Sequence, residues 1–488
     1  MRKIMLFLSL ILLVLVVACQ NTSTTTKETN NNTEKTIIKL AHWGIGTEQE
    51  NNLWRRRVAA FNQTHEDIQI EIVMAEGGWD EWLTTKAAAG ELPDVFLVNS
   101  VPDAAIKGWA ANIYDIVKND PEWYDIPKAL RDSVTYFDSK VFGIPAGYHF
   151  LGYYANFTLF ENANVTTDFS TYEFTVEEFF NAISQAKFLS EDGTSTIGLD
   201  ASGEIINWLP SAYDTTGKIQ HFLWDGEKFD YMSPAMTQTI AKAVDLTDNK
   251  EVFGAFSDQA PGEGEPSERE KYFGTNGWNE SFANGRVGFR WGGSWDASYY
   301  ANSIQDNFEH DFVGIPGKRV VGVSDYFVIA KTTKNKEAAY EVAKWLSFGI
   351  DGIMAAFEII ENEKEVVLTM PGLPINERTM VIEKWFESYP QPGFKAIYEK
   401  IKGGDFTVLM EGNKFVPGFG QARWDYDTGI DARISRPDQP EGKTLSIGDL
   451  VYDAARGAIS WSDYMTQDLA DKINQQLAQA INQLRNVQ

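Results

Sequence analysis

The 488-residue chain sets 69 Asp and Glu against 43 Lys and Arg, a formal net charge of −26. That balance argues against nucleic acid or an anionic lipid surface as a partner. At 43% hydrophobic and 13% aromatic residues the chain is long enough for two or more lobes, and its single cysteine excludes an internal disulfide.

In chain order, Arg2 and Lys3 precede an apolar run from Ile4 to Ala18, broken only by Ser9. A charged start, an apolar stretch of this length and small residues at its end describe a secretory signal, too short for a membrane span. From Gln20 to Lys35 there is no apolar residue, so the segment cannot bury enough surface to offset its ordering entropy and is expected to act as a flexible tether. The stretch Val16-Val17-Ala18-Cys19 is similar to the bacterial lipoprotein cleavage box, with Val16 in the usual leucine position and Leu15 one place earlier. That resemblance implies a signal peptide over residues 1–18, lipidation at Cys19, a tether over 19–35 and a chain anchored outside the bacterial cell membrane.

"TIIKLAHW" (36–43) reads as a strand and "TEQENNLWRRRVAAF" (47–61) as a helix, with Thr47 and Glu50 at capping-box spacing. "IQIEIVM" (68–74) alternates like a strand, "WDEWLTTKAAAG" (79–90) reads as a helix closed by glycine, and "DVFLV" (94–98) is an apolar strand of the kind buried on both faces. Strand–helix–strand–helix–strand is the pattern of a parallel sheet covered by helices. Ligands of such sheets sit beyond the carboxyl ends of the strands, which points to the loops His42–Thr47, Ala75–Trp79 and Asn99–Asp103. Further on, Thr175 and Glu178 form a second capping-box pair, residues 335–349 carry apolar positions at helical spacing, and Leu469, Ile473, Leu477, Ile481 and Leu484 share one stripe of a last helix. The segments 257–270 and 435–443 read as polar loops broken by Pro and Gly.

Several segments taken together resemble the extracellular solute-binding proteins of ABC importers, the group that includes maltose-type binding proteins. They are "AAAGELPDVFLVNS" (87–100), "KVFGIPAGYHFLGYYANFTLFENANV" (140–165, with Ala155 set between Tyr154 and Asn156), "FTVEEFFNA" (174–182), "FANGRVGFRWGGSW" (282–295), "DYFVIAKTTKNKEAAYEVAKWL" (325–346) and "GLPIN" (372–376). Their order along residues 37 to 380 is the specific signal; residues 380–488 are covered only loosely. The resemblance implies a two-lobed α/β fold of the periplasmic-binding-protein type, each lobe a mostly parallel sheet flanked by helices, with a ligand cleft between. It places lobe I at 36–148 plus 315–365 and lobe II at 149–314 plus 366–488, with crossings near Tyr148–Leu151, Phe312–Pro316 and Ile353–Met370. Hinge closure on a ligand belongs to the repertoire of such proteins.

Aromatic rings offer faces on which the C–H faces of sugars pack, while the sugar hydroxyls seek polar neighbours. By resemblance Trp295 is the cleft aromatic after the Gly292–Gly293 turn, with Trp291 four residues before it. Trp43 and Trp79 follow strands into candidate loops, Trp208 and Trp424 are second-lobe candidates, and Tyr148, His149, Asp325 and Tyr326 fall at crossings or strand ends. Arg290, Asp296 and Arg423 are polar candidates that a surface ion pair would equally explain.

Signals for catalysis are poor. Gly44-Ile45-Gly46 follows a strand, but Gln49 stands where a dinucleotide loop needs a third glycine. In "GGSWD" (292–296) Asp296 occupies the glycine position of a nucleophile elbow. The five histidines show no metal-ligand spacing, and 69 carboxylates single out no glycosidase pair. The expectation is a monomeric lipoprotein without cofactor or catalysis that binds a carbohydrate and passes it to permease subunits; the rival is a surface glycoside hydrolase or lyase.

Overall fold

The computed structural model describes residues 35–50, 52–200, 202–248, 266–275 and 277–487; Cys19 and the expected signal peptide lie outside them. Strand β1 (Thr36–Ala41) leads to helix α1 (Leu53–Thr64), β2 (Ile68–Ile72), α2 (Trp79–Ala89) and β3 (Val95–Val98). As the alternation predicts, β1 pairs in parallel with both β2 and β3. Gly90 ends α2 in the left-handed region at φ 71°, and all four residues of β3 are buried.

Two long strands then carry the chain out and back. Strand β4 (Ile144–Asn156) and, after α3 (Val176–Gln185), β5 (Ile197–Leu199), β6 (Val287–Gly293) and β7 (His310–Gly314), strand β8 (Arg319–Ile329) lie side by side and antiparallel. One end of β8 pairs with β3 through Tyr326–Ile329, whereas its other end pairs with β9 (Thr407–Met410) through Arg319–Gly322. The far end of β4 pairs with β6 and β7. The result is one continuous sheet in the order β2-β1-β3-β8-β4-β6-β5, with β9 added to β8 and β7 to β4.

This sheet is mixed, where the sequence pattern suggested mostly parallel sheets. The physical reason is the pair β4 and β8: a strand leaving one lobe and a strand returning to it must run in opposite directions, so the middle of the sheet is antiparallel. Two clusters of buried side chains hold the sheet. One gathers Leu40, Phe61, Leu97 and Phe327 with the helices over β1–β3 and also runs to Val287 on β6 and Phe312 on β7. The other gathers Tyr153, Phe179, Trp208 and Phe289 over β4–β6, and it is closed by the last helix, α4 (Gln467–Arg485), through Leu469, Ile473 and Leu477.

Candidate functional site

Between the two ends of the sheet lies a cavity of about 640 Å³. The carboxyl end of β1 supplies His42, Trp43 and Gly44, and that of β3 supplies Asn99, in keeping with the rule for open α/β sheets. The middle of β4 contributes Gly147 and His149, and that of β8 contributes Asp325. From the other side come Ser294 and Trp295, which follow β6, and the stretch Leu368–Gly372. Lys414 reaches in from the segment after β9.

The two tryptophans are the exposed faces. Trp43 keeps 38% and Trp295 51% of its surface in solvent, although large rings are mostly buried in folded chains. Trp43 is propped edge-on by Trp79, centroids 5.5 Å apart, and Trp295 by His149 at 5.1 Å. Gly293 leaves room for the indole: a Cβ there would come within 2.7 Å of the Trp295 ring, which would have to shift.

A polar chain crosses the floor. Ser294 Oγ lies 2.9 Å from His149 Nδ1, and His149 Nε2 lies 3.6 Å from Asp325 Oδ2. Lys414 Nζ sits 3.2 Å from Asp325 Oδ1, donates to Asn99 Oδ1 at 3.3 Å, and lies 4.5 Å from the centre of the Trp43 ring. Asn99 in turn donates to both carboxylate oxygens of Asp80 at 3.0 and 2.9 Å. Burial would push the Asp325 carboxyl up, but the bond to His149 and the positive charge of Lys414 outweigh it and hold it well below the usual carboxylate range. Burial pushes the His42 imidazole down to about 3, so it is neutral at neutral pH, and its Nδ1 accepts the Gly44 N–H at 2.9 Å. Lys414 is therefore matched by a carboxylate, and the pair adds no net charge to the cavity.

Of the residues predicted from the sequence, Trp43, His149, Trp295 and Asp325 line this cavity, and Trp79 stands behind Trp43. The others lie elsewhere. Trp208 is fully buried and donates from Nε1 to Tyr153 Oη at 2.9 Å; Trp291 packs edge-on against the same tyrosine at 5.2 Å. Tyr326 is buried with its hydroxyl 2.7 Å from Ser133 Oγ. Tyr148 follows Gly147 and precedes His149 on β4, so it points to the opposite face of the sheet and lines a different cavity. Trp424 is half-buried and stacks on Tyr452, centroids 6.0 Å apart. Arg423 is buried between Phe222 and Trp424, Arg290 pairs with Asp200 at 3.0 Å, and Asp296 accepts the Gly293 N–H at 3.0 Å.

Residues 56–360, more than half of the chain, match the family model of bacterial extracellular solute-binding proteins. The chain belongs to that family. No curated protein matches the sequence. Among solved structures, the chain is similar to an ABC substrate-binding protein from Listeria monocytogenes in complex with cycloalternan, at 16% identity and a TM-score of 0.65 over 91% of this chain and 100% of that one. A solute-binding protein from Thermotoga lettingae bound with α-D-tagatose is similar at 17% identity and 0.65, over 91% and 100%. The cyclic α-maltosyl-1,6-maltose binding protein of Arthrobacter globiformis follows at 17% and 0.57, over 92% and 99%. At these identities the likeness is one of fold, and it is the two-lobed fold expected from the sequence.

In this solute-binding protein the groups that sequence reasoning missed are Lys414, Ser294 and Asp80. Lys414 lies in the loosely matched last quarter, where "EGNKFVPGFG" (411–420) offered only its glycines and proline as a sign of an irregular connection. That segment reaches both cores: Lys414 O accepts the Val101 N–H and Phe415 O the Tyr136 hydroxyl, each at 2.9 Å, on one side, while Phe419 is buried in the other.

Proposed function

We propose that this solute-binding protein captures a neutral oligosaccharide in the cavity between Trp43 and Trp295 and delivers it to the permease of an ABC importer. The observation that carries the reading is the pair of solvent-facing tryptophans, offered from the two ends of the sheet across a floor of hydrogen-bonding groups. Sugar rings stack on such faces, and their hydroxyls find Asn99, Ser294 and Lys414 within the same space. Two of the similar structures, one in complex with cycloalternan and one a cyclic α-maltosyl-1,6-maltose binding protein, point the same way. The lobes divide at 36–148 plus 315–365 and 149–314 plus 366–488, and they close over the ligand about β4 and β8. Asp325, held as an ion-paired carboxylate, is a poor proton donor.

A panel of oligosaccharides screened by thermal shift, with product analysis of every hit, tests this reading. A ligand present far above its dissociation constant raises the melting temperature by mass action. The expected result is stabilisation by at least one saccharide without turnover; cleavage of the hit would establish the hydrolase or lyase instead. We propose further that Cys19 carries the lipid that keeps the monomer at the outer face of the membrane. Cys19→Ser protein should be recovered in the soluble fraction, and its retention on salt-washed membranes would contradict the anchor.

A further inference from the structure

A second cavity, of about 670 Å³, lies on the other face of the crossing strands and shares no lining residue with the first. The alternation of β4 sets this up, since Tyr148 faces it while Gly147 and His149 face the cleft. Its walls come from separate parts of the chain: Tyr136, Tyr148, Trp224, Tyr398 and Phe415 bring five aromatic rings. The volume falls within the range of about 300–1,000 Å³ usual for small-molecule sites, too small for a folded partner.

The polar groups define what fits. Tyr136 Oη is spent on Phe415 O at 2.9 Å, whereas the Tyr148 hydroxyl has only the Met410 sulfur, at 3.9 Å, a weak acceptor. At the rim Asp132 is paired with Lys128, and the two remaining charges, Glu377 and Lys402, are of opposite sign. Counting Lys128, the charges around the cavity sum to zero, so neither an anion nor a cation is favoured by net charge. We propose that this cavity is a second binding site, distinct from the cleft, for a neutral small molecule with an aromatic or fused-ring body and one acceptor for the Tyr148 hydroxyl. The rings supply broad apolar faces, and the hydroxyl supplies orientation.

The neutral fluorophore N-phenyl-1-naphthylamine, whose emission rises in apolar surroundings, serves as probe for the protein spanning residues 19–488. The expected result is a saturable rise at one probe per chain. It should be unchanged in Trp295→Ala, which alters only the cleft, and at least ten-fold weaker in Ala129→Trp. Ala129 is an exposed residue lining the second cavity, so the added indole fills the space without opening a hole in the core. Tyr148→Phe, which keeps the ring, should weaken binding less than Ala129→Trp. Absence of saturable binding, binding that survives Ala129→Trp in full, or loss of binding in Trp295→Ala would each overturn the proposal.

Discussion

The tryptophans of this protein separate into two kinds by what surrounds them. Trp208 has no exposed surface and spends its indole N–H on Tyr153, so Trp208→Ala opens a cavity and strands a buried hydroxyl; a loss of about 3–5 kcal/mol is expected in urea unfolding of the ligand-free protein. Trp295 is half in solvent, and Trp295→Ala should change the same measurement by no more than about 0.5–1 kcal/mol. Trp208 stands in "IINWLP" and Trp295 in "GGSWDA"; both are ligand candidates by sequence, and burial separates them. The same holds for Tyr148 and His149: the sequence places both at a crossing, but a strand turns neighbours to opposite faces, and the phase depends on which face the core covers. Glu411 is a residue whose environment the sequence does not announce. Burial pushes its carboxyl up from 4.5 to about 7 against the opposing charge of Lys414. A raised folded-state value contributes stability below pH 4.5 that is lost as pH rises through about 7. Glu411→Gln, neutral at every pH, should therefore match the wild type near pH 4 and exceed it above pH 7 by on the order of 2 kcal/mol. Parallel stability curves for the two proteins across that range would show that Glu411 keeps an ordinary titration.

At the scale of elements, local signals succeeded where they were complete. Thr175 and Glu178 form the reciprocal capping box that opens α3, and Gly90 closes α2. The pair Thr47 and Glu50 has the same spacing and does bond side chain to side chain at 3.2 Å, yet α1 starts later, at Leu53. Asn52 wins the cap because its amide serves twice: Oδ1 accepts the Trp54 N–H at 2.8 Å and Nδ2 donates to Gly44 O at 2.9 Å, tying the cleft loop to the helix. The parallel β1–β3 unit follows from local pattern, but the long antiparallel pair β4–β8 joins residues far apart in sequence and has no local signature. Its neighbour contact is tight. A Cβ on Gly152 would lie 2.7 Å from the backbone carbonyl of Gly314, and main-chain atoms of a paired strand cannot swing aside as a flexible side chain can. Gly152→Ala should thus force β4 and β7 apart and cost about 2–3 kcal/mol or more in denaturant unfolding; a cost below about 0.5 kcal/mol would mean that the strands part freely there.

At the scale of the whole molecule, two cores are joined by β4, β8 and the 411–420 segment, and the closure proposed above would turn the halves about those connections. Ligand contacts offered from both halves favour the arrangement in which they meet, so binding shifts the population toward it. Small-angle scattering should show a smaller radius of gyration with saturating oligosaccharide than without, and an unchanged radius would argue against closure. The claim on which the whole account rests is that Trp43 and Trp295 receive the solute. Calorimetric titration of a saccharide identified in the thermal-shift panel into wild-type and Trp295→Ala protein addresses it directly. The account predicts one site per chain in the wild type and a loss of about 1–3 kcal/mol, roughly ten- to a hundred-fold in affinity, in the variant, with ligand-free melting nearly unchanged. Wild-type affinity in a folded Trp295→Ala protein would contradict it.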